Sequence, residues 1–272
     1  MRLNEQSWQS WLVLAAVVPW CAAAALRFSI ASWSGPNQAA LGISLALALL
    51  VSLARAATPP GALTGGVITA VLTLGASAWY RSALPALLTL FVLTWCATRF
   101  GRVQKQKLGV AEDKRGRNAA QVAANLGVAG LTAAIAPTVG RSYGVLVIAA
   151  LAEATADTLA SELGEVLGGP PFLLTTLYRV EPGTDGAISL AGTMAGMSGA
   201  AIVVLVAVPT LGLRLGDAVV AGSAAVGGLF VDSLLGATAE RIGWLNNDAV
   251  NFLSTLAASL IAAVILAACR GR

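Results

Sequence analysis

The chain contains no histidine. That absence removes imidazole acid–base catalysis and His-ligated iron, copper or zinc sites. Cysteine is scarce as well: Cys21, Cys96 and Cys269 stand isolated in apolar segments, so neither a disulfide framework nor a zinc site is implied. Charge is the third scarcity. Asp, Glu, Lys and Arg make up 11% of the 272 residues, against about 25% in soluble domains. A soluble all-α protein needs polar helix faces, and most segments here have none. No Walker A pattern occurs, which excludes a P-loop enzyme. No convincing internal repeat is present. Any metal bound by such a chain is a hard, oxygen-ligated ion, with Mg²⁺ the default.

What the chain has in abundance is apolar sequence, at 57% hydrophobic with 29 glycines and a mean hydropathy of +0.78. This is the composition of an integral membrane protein, an all-α polytopic helix bundle. The small residues let membrane helices approach closely. Glycine-rich faces serve internal packing and a homodimer equally well. About nine transmembrane segments of roughly 20 residues can be drawn, at 8–26, 39–56, 61–80, 82–98, 118–138, 142–164, 190–213, 216–237 and 247–268. The first carries no clear small-residue cleavage site before Leu26-Arg27-Phe28, so it reads as a span, not a signal peptide. Trp8, Trp11, Trp79, Tyr80, Trp95 and Trp244 lie near segment ends, as an interfacial belt requires.

The stretch 99–117 holds Arg99, Arg102, Lys105, Lys107, Lys114, Arg115 and Arg117 and is assigned to the cytoplasm by the positive-inside rule. Counting helices outward places the N-terminus, the 165–189 loop and the 238–246 loop on the same side. The net charge of +4 then reads as a topology determinant, with no nucleic-acid partner implied. The expected location is an inner or plasma membrane, with the working face toward the cytoplasm. The same count gathers the acids at that face. Residues 1–98 read as scaffold helices, 99–117 as a basic loop and 118–268 as a site-bearing bundle, all within one membrane domain.

Five clusters carry the candidate chemistry. Glu153, Asp157 and Ser161 share one helix stripe, and Thr158, Glu162 and Glu165 a second. An acid at the bilayer centre costs about 2.5–3.5 kcal/mol on insertion scales, and those that survive there usually mark a site. Arg115 and Arg117 lead into a helix with Asn118, Gln121 and Asn125 on one side, a pattern suited to phosphate oxygens. Lys105 and Lys107 read as topology charges only. Thr175 to Thr193 is rich in Gly, Thr and Ser; Gly183, Thr184, Asp185, Gly186 and Ser189 allow backbone N–H groups to approach an anion. Gly228, Asp232 and Gly236 recur every four residues, placing Asp232 in a glycine-lined groove. Finally, Asn246 reads as an N-cap and Asp248 as a favourable first-turn acid, while Asn247 and Asn251 share a face that capping does not explain.

In combination these motifs resemble a known family. ADTLASELG at 156–164, TTLYRVEPGTDGAISLAGT at 175–193, DSLLGATAE at 232–240 and WLNNDAVN at 244–251 are similar to the polytopic membrane family that includes the plant chloroplast phytyl-phosphate kinase and animal transmembrane protein 19. The resemblance covers about residues 101–263 and none of the first four segments. It implies an integral membrane kinase that converts an isoprenyl monophosphate to the diphosphate with a nucleoside triphosphate, CTP or ATP, CTP being the implied donor. A Lys often begins the stretch where this chain has Tyr178-Arg179, and Arg179 is expected to supply that charge.

On this reading Asp157, Glu162, Asp232 and Asp248 are the catalytic acids, and Asp157, Asp232 and Asp248 hold Mg²⁺. Arg117 and Arg179 clamp phosphates. Asn125, Ser161, Thr176, Asn247, Asn251 and the 183–189 loop bind substrate or nucleotide, and the lipid tail lies between helices in the bilayer. The alternative is an ion-coupled transporter of a small anionic or lipid substrate. Against it stand the lack of an inverted repeat and the clustering of acids at one face. The spaced Asp signatures of CDP-alcohol transferases and prenyltransferases are absent.

Overall fold

A computed structural model describes residues 7–109, 116–136 and 143–270. Lys114 and Arg115 of the basic stretch lie outside the described residues. The described chain is helical almost throughout: α1 Trp8–Ala31, α2 Gly35–Leu53, α3 Pro59–Thr73, α4 Leu84–Arg99, α5 Arg102–Leu108, α6 Ala119–Ala134, α7 Tyr143–Leu167, α8 Leu190–Leu211, α9 Leu215–Leu235 and α10 Asn247–Arg270. A two-residue ribbon, β1 Phe172–Leu173 and β2 Ala187–Ile188, pairs antiparallel between α7 and α8.

Local chemistry sets the helix starts. Pro36 opens α2, and Pro59-Pro60 opens α3 behind a Thr58 cap whose side chain accepts from the Gly61 amide at 3.3 Å. Proline fits the first helical turn because its missing N–H has no partner there. Asn118 and Gln121 form a reciprocal capping box on α6, an arrangement worth about 1 kcal/mol.

Each of the nine apolar segments corresponds to a helix, but their lengths differ from expectation. Among the described residues six helices are long and apolar enough to cross a membrane, α1, α2, α7, α8, α9 with its continuation to Glu240, and α10, and the bent pair α4–α5 makes a seventh if it counts as one span. The 61–80 segment contains a shorter helix, because Gly75 adopts φ +80° and its N–H donates to Asn37 Oδ1 at 3.0 Å. The basic stretch is also more ordered than a loop. Gly101, at φ +63°, turns the chain by 61° between α4 and α5.

Helix α7 is the axis of the bundle. Its most apolar window is 78% buried, against 22–39% for the other five membrane-length helices. Those others turn large side chains such as Trp20, Leu45, Leu205 and Val264 outward, as lipid contact requires. Helix α8 approaches α7 almost backbone to backbone. A Cβ at Gly192 would stand 2.5 Å from the Ala160 carbonyl oxygen, and one at Gly196 2.6 Å from that of Ala156. Only glycine permits that spacing, which fixes α8 against the acid-bearing helix.

The turns that topology counting placed together do meet at one end of the bundle. Gln9 Nε2 donates to the Trp244 carbonyl at 2.6 Å, and Asn246 Nδ2 to Ser10 Oγ at 2.9 Å. The Arg117 amide donates to the Ala56 carbonyl at 3.1 Å. Lys105 pairs with Glu162.

Candidate functional site

At that end lies a cavity of about 310 Å³, walled by α6, α7, α9, the start of α10 and the strap 182–189. Helix α7 contributes Asp157, Thr158, Ser161, Glu162 and Glu165, so both polar stripes open onto one space. Helix α9 contributes Asp232. The carboxyl groups of Asp157 and Asp232 stand within hydrogen-bonding reach of each other. Asp232 Oδ1 and both carboxylate oxygens of Glu153, one turn deeper on α7, are buried and make no hydrogen bond of ordinary geometry, the nearby Ser254 hydroxyl donating to the Asn251 carbonyl at 3.1 Å. Space for Glu153 exists because α9 has Gly228 opposite; a Cβ there would come within 2.6 Å of Glu153 Cγ. The glycine-lined groove thus admits α7 at Gly228.

At Gly236 the same groove admits the strap. Gly186 adopts φ +69° and packs so closely on Ser233 to Ala237 that any Cβ would collide with backbone. There α9 passes into a π-helical turn, Gly236–Glu240, a distortion often found at functional sites. It ends with Glu240 on the cavity wall. The strap holds its own shape through Thr184, whose hydroxyl donates to the Glu181 carbonyl at 2.7 Å and whose carbonyl accepts from the Ala187 amide at 3.0 Å. Ser189 closes it by capping α8, accepting from the Gly192 amide at 3.1 Å.

Arg117 enters from the opposite wall. Its backbone is paired with the 56–58 turn, the Thr58 amide donating to the Arg117 carbonyl at 3.0 Å. Gly61 makes this approach possible, since a Cβ there would stand 2.5 Å from the Arg117 carbonyl oxygen. The guanidinium donates to Thr158 Oγ1 at 3.4 Å and is close enough to act electrostatically on Asp157. Asn125, one turn below Gln121, donates to the Gln121 carbonyl at 2.9 Å and also lines the cavity.

Of the residues singled out in the sequence, Arg117, Asn125, Asp157, Ser161, Glu162, Gly183, Thr184, Asp185, Gly186, Ser189, Asp232, Asn247 and Asn251 converge on this cavity. Three do not. Asp248 points away: its buried carboxylate accepts from Ser10 Oγ on α1 at 2.6 Å. In the first turn of α10 it faces the positive end of the helix dipole, while Asn246 Oδ1 caps the helix by accepting from the Ala249 amide at 2.9 Å. The expected trio of metal-binding acids is therefore not assembled. Thr176 and Arg179 are exposed on the outer turn beyond β1, where the ribbon carries them clear of the cavity.

Lys105 also departs from its expected role. It is 1% exposed, and its ammonium pairs with Glu162 and donates to the Ala97 carbonyl at 2.8 Å. Glu162 thus reaches the cavity as half of an ion pair; Lys107 is exposed, as a topology charge should be. Glu240 and Thr193 line the cavity without having been singled out as site residues. Glu240 was legible only as the last acid of DSLLGATAE, because nothing in a helical period announces a π turn.

Among the described residues no group of three or more Asp, Glu or Cys is placed to hold a metal ion. The Asp157–Asp232 pair nonetheless suits Mg²⁺, which commonly binds through one or two carboxylates together with substrate phosphates and water. The unpartnered Asp232 Oδ1 fits such a role.

Fold and site together define a polytopic integral membrane protein with an acidic cavity at one end of its bundle. The chain belongs to the integral membrane protein family DUF92, whose profile matches residues 42–259. It is 34% identical over 223 residues to an uncharacterized membrane protein of Methanocaldococcus jannaschii, covering 80% of this chain and 90% of that one. It is 30% identical over 213 residues to the chloroplast protein VTE6 of Arabidopsis thaliana, covering 74% and 64%. Protein PGR of the same plant is 28% identical over 254 residues, covering 74% and 88%. No solved structure matches.

Proposed function

We propose that the protein is a membrane isoprenyl-phosphate kinase, transferring the terminal phosphoryl group of a nucleoside triphosphate to an isoprenyl monophosphate such as phytyl phosphate. The observation that carries this reading is the Asp157–Asp232 pair facing Arg117 beneath a glycine-rich strap. The similarity to VTE6 supports it, as do the motifs shared with the phytyl-phosphate kinase family.

Phosphoryl transfer needs positioning and charge neutralisation more than covalent catalysis. An oxygen of the isoprenyl phosphate attacks the γ-phosphorus. The bond from that phosphorus to the β,γ-bridging oxygen breaks, and the nucleoside diphosphate leaves with the electron pair. The attacking phosphate is already anionic, so no strong base is required. Arg117 stabilises charge on the transferring group. Asp157 and Asp232 would hold Mg²⁺, and the charge neutralisation it would supply answers a need of this cavity, whose carboxylates would otherwise repel a nucleoside triphosphate. The strap covers the nucleotide and excludes water. CTP is the proposed donor, and the site faces the cytoplasm.

The test is to incubate purified protein with Mg²⁺, CTP or ATP, and phytyl, farnesyl or geranylgeranyl monophosphate, and to follow the lipid diphosphate by mass spectrometry. Diphosphate formation is expected. Its absence with every pair would remove the kinase reading. A carrier is favoured by one feature, the buried and unpartnered Glu153 within a membrane helix. Substrate counterflow in liposomes without any diphosphate would establish that alternative.

A further inference from the structure

A second cavity, of about 410 Å³, opens at the same end of the bundle and is formed by α2, α3, α4 and α6. Its volume falls within the range of about 300–1,000 Å³ typical of ligand clefts. Its interior is largely apolar, with Val51, Leu87, Leu90, Phe91 and Val122 among its walls and Thr69, Thr94, Thr98 and Asn125 beside them. Gly61, Gly65 and Gly66 of α3 line it, and at Gly65 the missing side chain leaves open space, a Cβ there meeting only Val122 Cγ1 at 3.7 Å. Its mouth is ringed by Arg55, Arg99, Arg102 and Arg117, and no carboxylate lines it among the described residues. From Leu87 to Arg99 along α4 it extends about 18 Å, more than half the thickness of a ~30 Å hydrocarbon core.

Several details make this a built site. Arg99 is held with its guanidinium 3.8 Å above the Trp95 ring. Arg55 takes a left-handed conformation, φ +53°, which a non-glycine residue adopts only at some cost. Gly116, at φ +77°, packs against the Arg55 carbonyl, where a Cβ would stand 2.6 Å away. The turn bearing Arg55 and the segment bearing Arg117 are thus locked together. Arg117 and Asn125 also line the acidic cavity, so the two spaces share a wall at these side chains.

We propose that this groove is the acceptor site: the hydrocarbon chain of an isoprenyl monophosphate lies between α2, α3, α4 and α6, and its phosphate is held by the arginine ring beside Arg117. The proposal rests on the kinase reading for the direction of transfer, but not for binding itself. A largely apolar slot with four arginines and, among the described residues, no lining acid complements one long chain with an anionic head. Phosphate oxygens match guanidinium donors geometrically. The shared wall places the acceptor phosphate next to the donor cavity.

The test is equilibrium binding of geranylgeranyl monophosphate to the purified protein without nucleotide, read by native mass spectrometry. Geranylgeraniol, dimethylallyl monophosphate and phosphatidic acid serve as competitors. Geranylgeranyl monophosphate is expected to bind at least tenfold more tightly than each of the three. Gly65→Leu adds bulk to the groove where a Cβ meets only Val122 Cγ1, at an ordinary 3.7 Å. It should weaken binding at least tenfold, as should the double variant Arg55→Gln/Arg102→Gln.

A diazirine-bearing isoprenyl monophosphate should label α3 and α4 in the unaltered protein, which guards against a variant that fails to fold. Equal affinity for phosphatidic acid, unchanged binding by both variants, or labelling confined to other helices would overturn the proposal. The two readings fail separately. Binding and labelling at the groove without diphosphate formation would end the kinase reading alone. Diphosphate formation with an unchanged KM for the lipid in Gly65→Leu would end the groove alone.

Discussion

Two cavities sit side by side at one end of this bundle, and they are built from opposite chemistry. One is walled by Asp157, Glu162, Glu165, Asp185, Asp232 and Glu240, with Arg117 as its cation. The other is largely apolar, and among the described residues its charged side chains are all arginines. The acidic cavity lies among α6, α7, α9 and α10, while the groove draws three of its four helices from the first 99 residues. Arg117 and Asn125 belong to both. On the proposed reading, such a pair of spaces would separate two anionic substrates by the means used to neutralise each: a divalent cation on the acidic side, guanidinium groups on the other.

The largest effect should come from the acid pair that defines the first cavity. Asp157→Asn or Asp232→Asn should lower turnover by at least about 10²–10³-fold, with an unchanged thermal melt in detergent. A variant that retains its activity would remove the acid pair from the mechanism.

Gly186→Val comes next. The strap cannot seat on the end of α9 with a side chain there, and a displacement of about 1 Å can cost on the order of 10²-fold in rate. The KM for the nucleotide should rise while binding of the lipid phosphate to the groove stays unchanged. An equal loss on both sides would erase the distinction between the cavities.

Lys105→Met tests the boundary between scaffold and site. Removing one partner of a buried ion pair costs about 3–5 kcal/mol, so the melting temperature should fall markedly. Lys105→Met/Glu162→Gln should recover much of it. A single variant as stable as the parent would show that the pair is not buried in solution.

The smallest effects belong to residues that the sequence suggested and the structure turns away. Arg179→Ala and Thr176→Ala lie on an exposed turn and should change stability by no more than about 0.5 kcal/mol and leave turnover within about twofold of the parent. A tenfold loss with Arg179→Ala would mean that the ribbon closes over the cavity during turnover.

Much of this arrangement was legible in the sequence because membrane helices announce themselves by composition, and because an acid within an apolar run is costly enough to need a reason. The stripes on α7 and the recurrence of Gly228, Asp232 and Gly236 followed directly from helical period. What was not legible depended on direction within a single turn. Asn247 and Asp248 are neighbours, yet the first lines the cavity and the second binds Ser10, more than two hundred positions away in sequence. Likewise a basic run gives no sign that Lys105 folds inward at the α4–α5 bend while Lys107 stays exposed. The groove was hidden for a different reason. Its walls are ordinary apolar residues, and only the packing of α2, α3, α4 and α6 shows that they enclose a space.

The most direct measurement is the initial rate of lipid diphosphate formation by Asp157→Asn and by Asp248→Asn, side by side with the parent protein. The sequence offered both carboxylates as metal ligands, and the structure separates them: Asp157 lines the acidic cavity while Asp248 binds Ser10. Asp157→Asn should fall by at least about 10²–10³-fold, while Asp248→Asn should stay within about fivefold and lose about 1.5–3 kcal/mol of stability with its charge-assisted bond to Ser10. Equal losses of turnover in two folded variants, or the greater loss in Asp248→Asn, would contradict the placement of the active site in the acidic cavity.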